Sequence, residues 1–475
     1  MRPLFIDSKV RKEKNFSIAY LAIFGYGITT FLLIALKLGS LVNILFPLGA
    51  LIVGLILFTY HPEIYVGFIW WLCFLTPLVR RLADFNGSYT VPSPVLLAPY
   101  LAILVSSLTA VQKLPRAVSQ GGMSFILPLF GIFYAYCVGC VNGSLFSATL
   151  ALVEWSSPII FGAYLFLNWR SYPEFKEVTR KAFIWGALVM GAYGIYQYLA
   201  APEWETFWLV NFIGEDAGII SMLGSPFGTP EPMGIRVWST MNGPYVFASF
   251  IIPGLLILLN YSGPLQPVMS AVAYLSFLLS SSRTAWIGWF ISMSIFFATL
   301  RPKQQIRFML LITVALLALI LLTTAGPFSE LIVSRLETFT NLSEDGSGSA
   351  RSTTYNTLFG KAVTTFIGYG LGNVPDFGHI LDSAILKILF ELGWIGAIPY
   401  LIGLIASILL DHINKGLPSD TFVGISKSFV LGSLFMLPLA PVLDGEVAIA
   451  IWGFASLKLS ANKWYCNPRD LLNLA

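Results

Sequence analysis

The chain has 475 residues, 56% of them hydrophobic and 11% charged, with a formal net charge of +4 and a mean hydropathy of +0.76. Soluble domains carry about 25% charged residues, so a water-exposed surface for a chain this long cannot be assembled from these side chains. Length alone would suggest about three soluble domains of ~150 residues each, but the apolar runs point to one integral membrane domain spanning 1–475.

The first sixteen residues carry Arg2, Lys9, Arg11, Lys12 and Lys14. The apolar stretch that follows, from Ser17 to about Leu36, is too long for a signal peptide and lacks a small-residue cleavage site. It reads as an uncleaved first membrane helix. Crossing ~30 Å of hydrocarbon takes ~20 apolar residues. Candidate runs lie at 17–36, 41–60, 63–79, 93–111, 123–141, 145–167, 182–200, 242–260, 266–282, 284–300, 306–325, 383–410, 424–441 and 446–460. The short runs can merge or lie at the interface, so 12–14 transmembrane helices are expected. Backbone groups cannot stay unpaired in lipid, so these runs must be helical. Continuous rather than alternating hydrophobicity excludes a β-barrel. The fold class is therefore all-α and polytopic.

Lys and Arg in short loops set the orientation. With the N-terminus inside, nineteen of the 28 basic residues fall on the inner side, and both termini are cytoplasmic. Two long segments rich in Gly, Pro, Ser and Thr then lie outside, 201–241 and 327–382. In the second, 341–350 reads as a flexible loop and 351–367 as a helix along the membrane surface.

Charges are costly near lipid, so those at the outer helix ends are candidates for function. Arg236 opens the segment Arg236-Val-Trp-Ser-Thr-Met-Asn-Gly-Pro-Tyr245, Arg283 follows Ser280-Ser281-Ser282 at a tight turn, and Arg351 begins the surface helix. Arginine remains charged and presents a planar fork of donors that fits phosphate bidentately. Three at one depth suit a pyrophosphate whose lipid tail lies in the bilayer. Taken singly, each would equally anchor its helix at the headgroup level.

Asp382-Ser383 precedes Gly393-Trp-Ile-Gly396 by nine residues. Asp382, at the outer mouth of a helix, suits a general base acting on an acceptor hydroxyl; the structural alternative is an N-terminal helix cap. His379 is a reserve base. Lys387 and Glu391, spaced i, i+4, would neutralise each other, and Gly393 and Gly396 allow close helix packing. Glu154, near the middle of its run, is the kind of intramembrane acid an ion-coupled carrier would use.

Other signals are weaker. Cys137 and Cys140 form a C-x-x-C without the second pair a zinc site requires. There is no D-x-D; Glu203-Trp-Glu205 is the nearest approach, on the side away from nucleotide sugars. Gly368-Tyr-Gly-Leu-Gly372 follows no strand, so it shapes a tight loop rather than a nucleotide site. No metal, cofactor or nucleic acid is indicated.

In these motifs the chain resembles the O-antigen ligase and O-antigen polymerase superfamily of bacterial envelope proteins. The resemblance rests on Arg236 to Tyr245, on Ser282-Arg283-Thr284, on Arg351 to Gly372, and on Asp382 to Gly396. At the last, this chain has aspartate where the ligases carry a functional histidine, which favours polymerase-like or other lipid-linked glycan transfer. The resemblance implies a metal-independent membrane glycosyltransferase of the C-type class. It would move a glycan from undecaprenyl pyrophosphate to an acceptor hydroxyl on a glycan or lipid, outside the bacterial cytoplasmic membrane. Arg236, Arg283 and Arg351 would hold the pyrophosphate, and Asp382, with His379 in reserve, would act on the acceptor. Membrane lipids and envelope-assembly proteins are the implied partners. The competing readings are a membrane solute transporter, for example of inorganic carbon, and a non-catalytic scaffold.

Overall fold

A computed structural model describes residues 4–109, 112–113, 118, 121–213, 227–303, 305–306, 309, 313, 346–375, 383–409 and 420–466, with the backbone alone for 4–17 and 346–354. Among these residues the fold is helical, with a single isolated β-bridge between Gly228 and Ile235. The helices are α1 Leu4–Ala35, α2 Gly39–Tyr60, α3 Pro62–Phe85, α4 Ala98–Leu104, α5 Met123–Asn142, α6 Leu145–Leu167, α7 Tyr172–Ala200 and α8 Glu203–Ile213. They continue as α9 Pro244–Asn260, α10 Gln266–Leu279, α11 Arg283–Thr299, α12 Gly346–Thr364, α13 Ala384–Leu409, α14 Thr421–Met436 and α15 Gly445–Cys466.

Six helices among the described residues are long and apolar enough to cross a membrane: α1 over Ile18–Ala35, α2, α3, α5, α6 and α13. Shorter apolar helices cover Pro94–Thr109, α9, α10 and α14. The chain is an all-α polytopic membrane protein. The run expected at 306–325 lies almost wholly outside the described residues.

Apolar side chains on α1 and α2 stay exposed, as lipid-facing positions should: Leu21, Phe24, Phe31, Ile44 and Ile52 all lie on the surface. The interior is built on aromatic edge contacts, which favour ring quadrupoles at right angles. Trp70 of α3 meets Phe161 of α6 and Phe183 of α7 at 5.2 and 5.0 Å, while Phe183 meets Phe454 of α15 at 5.1 Å. Some buried polar groups in this core find partners, which a medium without water favours, while others, Trp452 Nε1 and Ser249 Oγ among them, have no hydrogen-bond partner among the described residues. Trp70 Nε1 donates to Thr179 Oγ1 at 3.0 Å and the Tyr65 hydroxyl to the Ala102 carbonyl at 2.7 Å.

The helices α9, α11 and α14 show how the two ends of the bundle are defined. Asn260, the last residue of α9, donates to Thr421 Oγ1 at the start of α14. Antiparallel to α14, α11 places Gly288 against Met436 and Ser292 against Gly432. One end of the bundle therefore carries Arg283 and the residues after Met436, and the other carries Asp420. At the Asp420 end that carboxylate caps α14 through Phe422 N and accepts from the Tyr172 hydroxyl, the Tyr465 hydroxyl and Lys176 Nζ, at 2.7, 2.9 and 3.1 Å.

Two segments differ from expectation. The 201–241 segment contains the helix α8 and a small apolar cluster of Trp208, Leu209, Ile235 and Trp238, so it packs rather than trailing as a loop. The helix expected over 351–367 begins at Gly346 and ends at Thr364, taking in 346–350, which were expected to be loop. Its anchor is the burial of Leu358 and Ala362, and helix propagation from a docked turn costs little once nucleated.

Candidate functional site

The Arg236 segment is shaped locally by a short hairpin. Arg236 N donates to the Phe227 carbonyl at 2.9 Å and Thr229 N to the Gly234 carbonyl at 3.0 Å. Gly228 sits at φ +79°, a left-handed value natural for glycine. Beyond the hairpin, Val237 N donates to the carbonyl of Leu279, the last residue of α10, at 3.1 Å. That bond joins the segment led by Arg236 to the turn that leads into Arg283. Both arginines are half-buried.

The Ser280-Ser281-Ser282 turn closes through Ser281 N to the Leu278 carbonyl at 3.0 Å, with Ser281 at φ +52°. Ser282 is the extended residue before α11, and Arg283 is its first helical residue. A helix N-terminus carries partial positive charge, so a cation there is electrostatically unfavourable without an anion nearby. A helix N-terminus beside a guanidinium is the kind of arrangement that suits an anionic ligand.

The third and fourth motif segments also meet. Tyr355, one helical turn beyond Arg351 on α12, places its hydroxyl 2.6 Å from Ser383 Oγ and donates to the Pro438 carbonyl at 2.7 Å. Ala384 N donates to the carbonyls of Leu437 and Ala440 at 3.0 and 3.1 Å. Since residues 437–440 follow Met436, these contacts lie at the Arg283 end. Asp382 and His379 fall outside the described residues, and of Arg351 only the backbone is described. At the head of α13 it is Ser383 that receives the Leu386 N–H, at 3.4 Å, so the cap of this helix is drawn from the residue after Asp382.

One turn deeper, Lys387 pairs with Asp444 and lies 3.8 Å from Glu391 Oε1. The expected neutralisation of Lys387 by Glu391 is thus the longer of its two contacts; the shorter partner arrives from the loop before α15. Glu391 Oε2 instead accepts from Trp155 Nε1 at 2.8 Å. Glu154, half-buried, lies beside that tryptophan in sequence, and Glu446 is buried next to Asp444.

The helix α13 is interrupted at Gly393, where φ is +59° and ψ −178°. Carbonyls of Phe390 and Glu391 lose helical partners and receive Tyr369 N at 2.7 Å and Gly370 N at 3.1 Å, while Trp394 N reaches the Phe366 carbonyl at 2.9 Å. The Gly368–Gly372 turn is therefore a plug docked into a broken helix. A side chain at Gly370 would enter the backbone of Gly139, and one at Gly393 the backbone of Gly368. Gly396 serves the packing role expected of it, against Gly131 of α5.

Sequence reasoning passed over Arg81 and Glu205. Arg81 Nε lies 2.8 Å from Glu205 Oε2, and both side chains are wholly buried. Glu205 had drawn notice only as part of Glu203-Trp-Glu205; here it is an ion-pair partner. Two adjacent basic residues at the end of an apolar run, Arg80 and Arg81, were the available signal. Arg80 pairs with Asp84 at 3.3 Å and lies over the rings of Tyr89 and Trp208. Among the described residues no group of three or more His, Cys, Asp or Glu could hold a metal ion. Set against protein-family models, curated proteins and solved structures, the chain matches none.

Proposed function

We propose that this chain is a membrane-embedded glycosyltransferase that moves a glycan from undecaprenyl pyrophosphate to an acceptor hydroxyl during surface-polysaccharide assembly. In this reading 12–14 helices span the bacterial cytoplasmic membrane, both termini are cytoplasmic, and the Arg283 end faces outward. One observation carries it: four motif segments distant in sequence gather at one end of the bundle. Val237 is tied to Leu279 and Tyr355 to Ser383, at 3.1 and 2.6 Å.

The chemistry needs no metal. A diphosphate leaving group gains negative charge as the anomeric C–O bond breaks, and preorganised cations stabilise that charge. Arg236, Arg283 and Arg351 would supply them, with the N-terminus of α11 behind Arg283. The acceptor oxygen attacks the anomeric carbon, the bonding pair leaves with the phosphate oxygen, and the acceptor proton passes to Asp382 or His379. The donor brings its own activation, so neither nucleotide nor ATP is required on the outer face.

Deleting the protein and resolving the cell's lipid-linked and surface glycans by length tests this. Loss of long chains identifies a polymerase, and full-length chains stranded on the lipid carrier identify a ligase. Arg283→Ala should reproduce the deletion at normal protein levels, and a wild-type glycan profile in that variant refutes the proposal.

A second reading, a solute carrier, is favoured by a separate observation. Lys387, Asp444, Glu391 and Glu154 crowd beside a helix broken at Gly393, and discontinuous helices with buried charges are where carriers bind substrate and coupling ions. Glu154→Gln scored by uptake into vesicles decides it: unchanged uptake removes this reading.

A further inference from the structure

Resting on the reading of the Arg236–Tyr245 segment as diphosphate-binding, we infer that Arg81 and Glu205 are positioning residues that hold this segment in shape from outside it. Arg81 stands in the last turns of α3 and is wholly buried. Its Nε faces Glu205 Oε2 at 2.8 Å, and its two terminal nitrogens donate to the carbonyls of Met241 and Ser239, both at 2.5 Å. Glu205 Oε2 also accepts from Trp238 Nε1 at 2.9 Å, and Oε1 takes the Tyr193 hydroxyl. From α7, Gln197 Oε1 accepts from Trp238 N at 3.0 Å and Ser239 N at 2.8 Å.

Stability alone does not explain this arrangement. Desolvating two charges offsets much of their attraction, and an apolar pair of equal volume would hold helices together as well or better. What the pair provides is direction. The planar guanidinium fork grips two carbonyls two residues apart, which a lysine ammonium or an apolar side chain cannot do. Those carbonyls, of Ser239 and Met241, lie between Arg236 and Asn242. Ser239 is held at φ +52°, a left-handed conformation sparsely populated by residues other than glycine. Its N–H is fixed by Gln197 and its carbonyl by Arg81, so both sides of the residue are gripped. Because Glu205 neutralises Arg81, the clamp adds no net charge, and Arg236 remains the cation that the segment itself offers to an anion.

The test uses the full-length protein in lipid nanodiscs with undecaprenyl diphosphate as the probe. Arg81→Lys keeps the charge and loses the fork, and should bind about tenfold more weakly, the order expected when a charge-assisted contact is lost. In an Arg236→Ala background the same change should add less than about twofold, because coupled residues are not additive. Equal binding by Arg81→Lys and wild type, or a loss fully additive with Arg236→Ala, overturns the positioning role and leaves the glycosyltransferase proposal standing. No binding by wild type overturns that proposal and the positioning role with it. Where Arg81→Lys is not recovered folded, Gln197→Leu releases Trp238 N and Ser239 N without touching the ion pair and should show the same coupling to Arg236. Failure of both variants to fold assigns the clamp to the fold and overturns the inference.

Discussion

The Tyr355 hydroxyl lies 2.6 Å from Ser383 Oγ, which ties the helix that carries Arg351 to the residue that follows Asp382. The two positions are 28 residues apart, and the intervening chain crosses the Gly368–Gly372 turn docked into α13. Tyr355 also donates to Pro438 and so joins three segments at once.

Tyr355→Phe therefore tests whether these segments must be held together. The hydrogen bonds lost should cost about 1 kcal/mol of stability, read as a lowered unfolding temperature in detergent. If the proposed glycan transfer is this chain's activity, it should fall in membranes by more than the loss of folded protein accounts for. A transfer rate that follows the amount of folded protein would make the contact purely structural.

Gly393→Ala should be strongly destabilising. The position has φ +59°, and a Cβ there enters the backbone of Gly368 and Ile367. Left-handed strain alone costs about 1 kcal/mol or more, and the plug must also shift. Gly25→Ala in α1 is the matched control: its Cβ meets nothing within 4 Å, and the helix gains up to about 1 kcal/mol of propensity. Opposite shifts in unfolding temperature are expected from these two glycine-to-alanine changes.

Lys387→Met leaves Asp444 and Glu391 without their cation. Lys387 and Asp444 are half-buried, so breaking the pair from one side should cost less than the loss of a fully buried pair, about 1–2 kcal/mol, because the remaining charge stays partly desolvated. Replacing Asp444 with Leu in the same chain should recover much of that loss. Thermal unfolding of the single and double variants measures it, and an equally unstable double variant would contradict the pairing.

Asp420 makes acid sensitivity local to the other end of the bundle. Burial by itself would raise its pKa, but hydrogen bonds from Tyr172, Lys176 and Tyr465 and the lysine charge overcome that and hold the pKa below the usual carboxylate value. A group depressed in the folded state contributes stability above its unfolded pKa of ~3.9, lost as pH falls through the lower folded value. Unfolding temperature should therefore drop below about pH 4, and Asp420→Asn should flatten that portion of the profile while lowering stability at neutral pH.

The helices were legible because lipid leaves the backbone no choice. Runs such as 41–60, 123–141 and 145–167 reappear as α2, α5 and α6 within one or two residues. Boundaries slipped where helices leave the apolar layer: α7 begins at Tyr172, ten residues before its apolar run, on charged residues for which hydropathy carries no signal. Similarly, α8 and the Trp208–Trp238 cluster lie in a stretch whose Gly and Pro content reads as loop. Its order comes from aromatic packing between residues about thirty apart.

Composition and hydropathy by themselves determined that this chain is a bundle of membrane helices, and motif spacing marked which residues merit attention at its ends. Partnership was decided only in three dimensions. Lys387 has Glu391 at the favourable helical spacing, yet its closest carboxylate is Asp444, fifty-seven residues away. Arg81 reaches Glu205 and the Ser239 and Met241 carbonyls across more than a hundred residues. Local spacing reports only what a single helix can bring together. In a bilayer a buried charge must find its counter-charge wherever the packing of other helices delivers one, and that placement is a property of the assembled bundle.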